Sequence, residues 1–513
     1  MSGLGQRLIL GSIGRVLSLA VTIGLSLLLT PFIIRHIGSS LFGLWSLIGG
    51  IMGFSGLLDL GLNSALKRFL PQAFEKQDQH LAGEIFCSAL AVFVGIGVCI
   101  AFGLGIGAGP IHSWVARETA FSLFRTVWIV LVVDTAVQFP LRAYVGYFEA
   151  RLRQDILSAV ETLKAVLRAA LVVYALSSGK GIVALALVTF GVNVAGGLLL
   201  VGLYRLYYGD VRLSRHFIRK DTILRMLDYS YKNVIAAVGD ILRFQIDLVV
   251  ISAYCPLSHV AVYAIASRLS AYFMETVAAF IGMSIPLFSG LDARGDPRLL
   301  LEVYYLLIKI ASVLSVYIGG MFLLLGKAFI VRWVGADFAA SYPVLFILTI
   351  GIGIALSQYP TVNLLRGLSL HTTISFLNIV EGLANLALSL VLVQSMGLVG
   401  VALGTAIPIT VFAGVFGPII AMRLVGYIKP LEWIRTYGVV MLKAFAAMGL
   451  FGALASPWIT PDYLRLSAIA GLSIVYFPCM YFWAFSKRER RHYLMAEERI
   501  RNFFGRPSPD PER

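Results

Sequence analysis

The stretch GIVALALVTFGVNVAGGLLLVGLY, residues 181–204, runs straight into RLYYGDVRLSRHFIRKDTILRMLD, residues 205–228, and this junction decides the fold. The first part carries no charged side chain. At ~1.5 Å of rise per residue it is long enough to cross a ~30 Å hydrocarbon core. In lipid the backbone must satisfy its own hydrogen bonds, so the segment is a helix. The second part places Arg205, Arg212, Arg215, Arg219, Lys220 and Arg225 among Tyr207, Tyr208 and Phe217. Such a mixture lies among lipid headgroups.

The same alternation extends in both directions. Apolar segments at 8–34, 39–62, 84–108, 118–140 and 156–177 precede the junction. Those at 229–254, 259–286, 299–326, 341–365, 372–394, 397–422, 436–456 and 463–485 follow it. The pattern predicts an all-α polytopic membrane protein of about 14 transmembrane helices. Composition agrees, because 58% hydrophobic and 13% charged residues leave too little charge to coat a soluble particle of this length. The net charge of +15 is scattered over loops rather than gathered on one face. That excludes a nucleic-acid footprint and points to a bilayer with anionic headgroups.

The basic residues fall in every second loop. One set of loops holds Lys67, Arg68 and Lys76, then Arg142, Arg151 and Arg153, then the 205–228 stretch. It continues through Arg294, Arg298, Arg366, Arg423, Lys429 and Arg435 to the tail. The opposite set holds little beyond Arg35, Arg117, Lys180, Lys327 and Arg332. The positive-inside rule then puts both termini in the cytoplasm. The first segment, 8–34, is too long for a signal peptide and lacks a small-residue cleavage site, so it reads as a membrane helix. Cys87, Cys99, Cys255 and Cys479 form no CxxC pair and suggest neither disulfides nor a metal site.

The expected organisation is a six-helix lobe over 1–204, a basic interfacial linker over 205–228 and a second six-helix lobe over 229–422. Helices 13 and 14 follow over 423–485, and a basic cytoplasmic tail over 486–513. A faint repeat supports two halves: the run Gly14 to Trp45, ending Phe42-Gly43-Leu44-Trp45, is echoed by Gly239 to Tyr263, ending Val260-Ala261-Val262-Tyr263. Transporters are commonly built this way. Small-residue pairs Gly49/Gly53 and Gly103/Gly107 read as close-packing sites.

No GxxxxGK[ST] run, HExxH pair or catalytic triad is legible, and the outer loops are too short to carry acid–base residues. The chain reads as no enzyme, with no cofactor. Charges inside the spans are the informative residues, because one at a helix centre costs about 2.5–3.5 kcal/mol on insertion scales. Lys164 and Arg168, with Glu161, share one face of the fifth span at i, i+3, i+7 spacing. A polyanionic ligand would neutralise the two cations; so would acidic groups on neighbouring helices such as Asp134. In the seventh span Asp240, Arg243 and Asp247 share a face, either as a self-satisfied ion set or as a gating or proton-coupling group. In the eleventh span Asn378, Glu381 and Asn385 do the same, fitting proton or small-cation uptake, or plain interhelical hydrogen bonding. Arg268 also lies inside its span.

The blocks Thr30-Pro31-Phe32-Ile33-Ile34-Arg35, Phe42-Gly43-Leu44-Trp45 and Gly56-Leu57-Leu58-Asp59-Leu60-Gly61-Leu62, continuing into Ala65-Leu66-Lys67-Arg68, resemble the opening of polysaccharide flippases. A second block, Gln245-Ile246-Asp247-Leu248-Val249-Val250-Ile251 followed by Val262-Tyr263-Ala264-Ile265-Ala266-Ser267-Arg268-Leu269, resembles that family's seventh and eighth helices. The family is the polysaccharide transporter (O-antigen/oligosaccharide flippase) family of the multidrug/oligosaccharidyl-lipid/polysaccharide exporter superfamily. The resemblance implies translocation of an undecaprenyl-pyrophosphate-linked oligosaccharide across the bacterial cytoplasmic (inner) membrane. It also implies two six-helix lobes rocking about a central cavity, with two further C-terminal helices. The pyrophosphate and glycan would meet Arg15, Lys164, Arg168, Arg243 and Arg268. Asp59 would pair with Arg68 as a gate, and Asp240, Asp247, Asn378, Glu381 and Asn385 would couple transport to H+ or Na+. A lipid II flippase or an ion-coupled multidrug antiporter of the same superfamily is the competing reading. Partner proteins of polysaccharide assembly would dock on the basic loops.

Overall fold

Long apolar segments with no charge to expose can close their backbone hydrogen bonds only within themselves, and every regular element among the described residues is a helix. The structure, a computed structural model, describes residues 2–59, 61–209, 211, 213–282 and 284–485. The 486–513 tail, Arg212 and the side chain of Lys232 lie outside the described residues.

The elements run α1 (Ser2–Ile37), α2 (Ser39–Gly53), α3 (Leu62–Glu75), α4 (Gln79–Ile106), α5 (Ala108–Val115), α6 (Phe121–Ala150), α7 (Gln154–Ser177) and α8 (Ile182–Tyr207). After the linker come α9 (Lys220–Phe244), α10 (Ile246–Tyr254), α11 (Leu257–Ile281), α12 (Ser284–Ala293), α13 (Pro297–Val334) and α14 (Ser341–Ser357). The last are α15 (Tyr359–Gly367), α16 (His371–Val411), α17 (Gly417–Val425), α18 (Pro430–Ala455), α19 (Tyr463–Ser473) and α20 (Tyr476–Ala484). Eleven stretches among the described residues are long and apolar enough to cross a membrane. One of them, Thr372–Val425, folds back at Gly397, whose φ of 56° and ψ of −130° only glycine adopts cheaply, and so makes two crossings. The charged helix α7 and the α9–α10 pair complete the expected spans.

Each half interrupts its second spanning helix. A 3-10 segment, Phe54–Asp59, follows α2, and Gly61 in the left-handed region (φ 67°) opens α3. In the second half α11 gives way to α12. The helices α3 and α5 are additions to the sequence reading, which had loops there. Further breaks have local causes. Tyr359-Pro360 starts α15 because a proline near a helix start has no amide hydrogen to lose. A π segment, Phe412–Phe416, follows Pro408, whose ring and missing donor disturb the ladder.

Contacts gather residues 6–264 into one unit and the described residues from 265 onward into another. In the first, α6 lies between α4 and α8, and α7 packs on α8. Gly97 permits the α4–α6 approach, since a Cβ there would stand 2.5 Å from the Ala136 carbonyl oxygen. Of the expected close-packing pairs, Gly49 and Gly103 face open space, whereas an added Cβ at Gly53 would collide with the Gln245 side chain. At one end of this unit Phe86, Tyr144, Tyr147 and Tyr204 form an aromatic knot, with Phe86 stacked on Tyr204 at 5.9 Å. The Tyr204 hydroxyl pins the linker, accepting from Val211 N at 3.1 Å and donating to Val211 O at 2.9 Å. Ser88 Oγ accepts from Arg219 N at 3.2 Å, tying the linker to α4 as well. In the second unit α13 is the spine: α14 packs on it, and α18 and α20 cover Val313 and Val316 with Val440, Ala444 and Met480.

Candidate functional site: the charged face of α7

In the first unit the Lys164–Arg168 face of α7 meets α8. A cation inside a membrane helix needs a partner or a polar cavity. Lys164 Nζ pairs with Glu161 Oε1 at 2.9 Å, the lysine side chain 16% exposed and the glutamate 61%. Its stem crosses Gly196 of α8, where an added Cβ would collide with the lysine Cγ and Cδ. Arg168 Nη2 donates to Asn193 Oδ1 at 2.7 Å. Asn193 Nδ2 in turn donates to Asp134 Oδ2 on α6 at 2.9 Å, and Gln138 Nε2 reaches Asp134 Oδ1 at 3.4 Å. Asp134 is 8% exposed. Arg168 Nε is buried without a hydrogen-bond partner.

The neighbouring carboxylate therefore reaches Arg168 only through a neutral amide. Glu161 balances one of the two cations in contact, and Asp134 acts on Arg168 at second hand. A guanidinium with a spare buried donor is a group with which a bidentate oxyanion can pair. Asn193, Gly196 and Gln138 were not singled out from the sequence. The available signal was Asn193, the one amide side chain in the apolar run 181–204.

The other charged positions are distributed as follows. Arg15 is exposed on α1. Arg68, midway along α3, lies over the Tyr229 ring at 4.3 Å. Asp59 sits in the electrostatic range of Arg142, whose guanidinium stacks on Phe139 at 4.4 Å. Beside it Lys67 pairs with Glu149 at 2.9 Å, and Asn63 Nδ2 donates to the same carboxylate at 3.2 Å. Arg243 Nη1 is 3.7 Å from Asp240 Oδ1, an i,i+3 pair on α9. Asp247, buried on α10, accepts a 2.6 Å hydrogen bond from the Tyr263 hydroxyl.

In the second unit Arg268 Nε donates to Tyr272 Oη at 3.0 Å. Glu381 is 3% exposed, with Asn378 and Asn385 buried on the same helix. Asn385 Oδ1 accepts from Ser389 Oγ at 2.9 Å and from Thr405 Oγ1 at 3.4 Å, across the fold at Gly397. Lys164 falls ten residues after the start of α7, and Glu381 ten residues after the start of α16. The two halves thus carry opposite charges at matching positions.

A solved structure of lipid II flippase MurJ in an inward closed conformation aligns with a TM-score of 0.72 over 92% of this chain and 99% of that one, at 13% identity. The chain belongs to the polysaccharide biosynthesis protein family, whose sequence model matches residues 12–291. It is similar to the uncharacterized membrane protein EpsK of Bacillus subtilis, 20% identical over 80% of this chain and 82% of that protein. It is also similar to the succinoglycan biosynthesis transport protein ExoT of Rhizobium meliloti, 25% identical over 66% of this chain and 65% of that protein. The chain is a multi-pass membrane protein of that family.

Proposed function

We propose that the chain is a flippase that carries an undecaprenyl-pyrophosphate-linked oligosaccharide across the bacterial cytoplasmic membrane by alternating access, both termini in the cytoplasm. The observation that carries this reading is the α7 face: two cations one turn apart, one of them a half-buried arginine whose buried Nε has no hydrogen-bond partner. A pyrophosphate diester carries about two negative charges; Arg168 offers it a bidentate partner, and Lys164, shared with Glu161, a second cation. The likeness to a transport protein of succinoglycan biosynthesis supports a glycan-bearing cargo.

The drive in this reading is an ion gradient, with buried Glu381 taking up H+ or Na+ in the second half. The basic loops 205–228 and the tail hold the cytoplasmic headgroups and offer docking sites to other assembly proteins. A lipid II flippase would use the same pyrophosphate chemistry and differ only in the glycan; the fold likeness to MurJ keeps that second reading. An exporter of organic cations would want an acidic cavity, which Lys164 and Arg168 oppose. The test is flipping of fluorescent polyprenyl-pyrophosphate oligosaccharides of differing glycan in proteoliposomes. Movement of an exopolysaccharide repeat unit but not of lipid II supports the first reading, and the reverse selects the second.

A further inference from the structure

We infer that Asp134 is a proton-binding site of the first unit and that its protonation, passed through Asn193, releases Arg168 to an incoming phosphate. The inference rests on the anion-site reading of α7 and adds the group that controls it. Its basis is the direction of two hydrogen bonds. An asparagine amide has one donating end and one accepting end. With Asp134 ionised, the carboxylate can only accept, so Nδ2 of Asn193 must face it; the carbonyl Oδ1 is then left facing Arg168, which can only donate. The relay is satisfied at both ends and holds the guanidinium in place.

A proton taken from water onto Asp134 Oδ2 reverses this logic. The carboxyl becomes a donor, and its best partner on Asn193 is Oδ1. The amide turns by half a revolution, its NH2 group then faces the guanidinium, and donor meets donor. Arg168 loses its tether and has Nη2 as well as Nε to offer a phosphate. No bond other than the O–H is made or broken, and the proton returns to water when Arg168 is recaptured.

The surroundings leave Asp134 as the switching group. From α7, Lys164 and Arg168 act on it electrostatically, and Glu161 pairs with Lys164. Gln138, on its own helix, is uncharged. The α4 helix brings His80 and Glu84, paired with each other in its first turns, and then only Cys87 and Cys99; α8 contributes no charge before Arg205, and α2 carries none. The α5 histidine, His112, packs on Phe121 and Phe124, more than two turns outward along α6. Near the opposite end of α6, Arg142 acts on Asp59, and Glu149 pairs with Lys67 of α3.

The test uses the full chain in nanodiscs with farnesyl pyrophosphate as the probe, over about pH 5 to 9. Infrared difference spectra of wild type against Asp134→Asn should show a protonated-carboxyl band that grows as pH falls. Probe affinity of wild type should rise about tenfold with that band, the effect of freeing one charge-assisted donor. In Asp134→Asn the rise should vanish, and Asn193→Leu should bind at the acid-side affinity throughout. Absence of the band at every pH overturns the inference, as does a wild-type affinity profile that survives in Asp134→Asn. Should Asp134→Asn fail to fold, Asn193→Leu alone decides, and a wild-type profile in that variant overturns the relay. Arg168→Ala separates the two readings: unchanged probe affinity there removes the anion site itself, whatever the infrared band does.

Discussion

Lys164 and Glu381 stand at the same distance from the start of their helices, ten residues into α7 and ten into α16, with opposite charge. Glu161 and Asn378 precede them by three residues, and Arg168 and Asn385 follow by four. One helical face is thus repeated, once as a cation set and once as an acid between amides. In the proposed function the cation face meets the headgroup and the acid face the coupling ion, and the two can be tested apart.

Glu381 should carry the coupling. Glu381→Gln keeps the size and hydrogen-bonding capacity of a side chain that is 3% exposed, while removing its charge and its proton site. The variant should insert and fold, yet its flipping rate should no longer respond to an imposed pH or Na+ gradient across proteoliposomes. A gradient response equal to wild type would place the coupling elsewhere.

Gly196 should be intolerant of any side chain. A Cβ there meets the stem of Lys164, whereas at Gly202 on the same helix nothing lies within 4 Å. Gly196→Ala should lower the melting temperature, the overpacking costing about 1–3 kcal/mol, and should weaken pyrophosphate binding by displacing Lys164. Gly202→Ala is the matched control and should do neither. Equal melting temperatures and affinities for both variants would contradict the packing described.

The hydroxyl of Tyr263 supports a buried carboxylate. Tyr263→Phe removes the 2.6 Å donor to Asp247 and leaves the ring in place. The expected loss is about 1–3 kcal/mol of stability, the cost of removing one hydrogen bond from a buried acceptor. Thermal unfolding in detergent measures it, and a melting point within error of wild type would show that the bond contributes nothing net.

At the membrane surface, the hydrogen bonds of Arg153 hold the Asp155 carboxyl below its ordinary value of 3.8. In the unfolded chain Asp155 binds its proton at higher pH than in the fold. The pair therefore stabilises fully above about pH 4 and loses its contribution as pH falls through the lower folded value. Asp155 is 41% exposed, so solvent screens the pair and the effect is small. Asp155→Asn should lower the melting temperature slightly at neutral pH and meet wild type in acid, so that the acid-side fall is flattened. A steeper acid-side fall in the variant would reverse the sign argued here.

Spanning helices were legible because length and hydropathy settle them independently of tertiary context. Reading α7 as a spanning helix required accepting Glu161, Lys164 and Arg168 inside it, and their shared face was visible from spacing alone. What spacing does not reveal is the partner on another helix. Nothing in the run 181–204 says that Asn193 would meet Arg168 or that Gly196 would lie under Lys164; those contacts depend on how α8 rotates against α7. The loop after the second span concealed α3, because its Lys67, Arg68 and Glu75 suggest solvent while Leu62, Leu66 and Leu70 form its buried stripe. Local breaks such as the one before Tyr359-Pro360 were spelled out in residues, but they fall inside a stretch whose hydropathy stays uniformly high.

The central claim is that the α7 face receives the pyrophosphate, and flipping of a fluorescent polyprenyl-pyrophosphate oligosaccharide in proteoliposomes tests it most directly. Wild type should move the lipid, and the Lys164→Ala/Arg168→Ala double variant, verified as inserted and folded, should lose at least about tenfold in rate, as expected for two charge-assisted contacts. Wild-type flipping by that double variant would contradict the account.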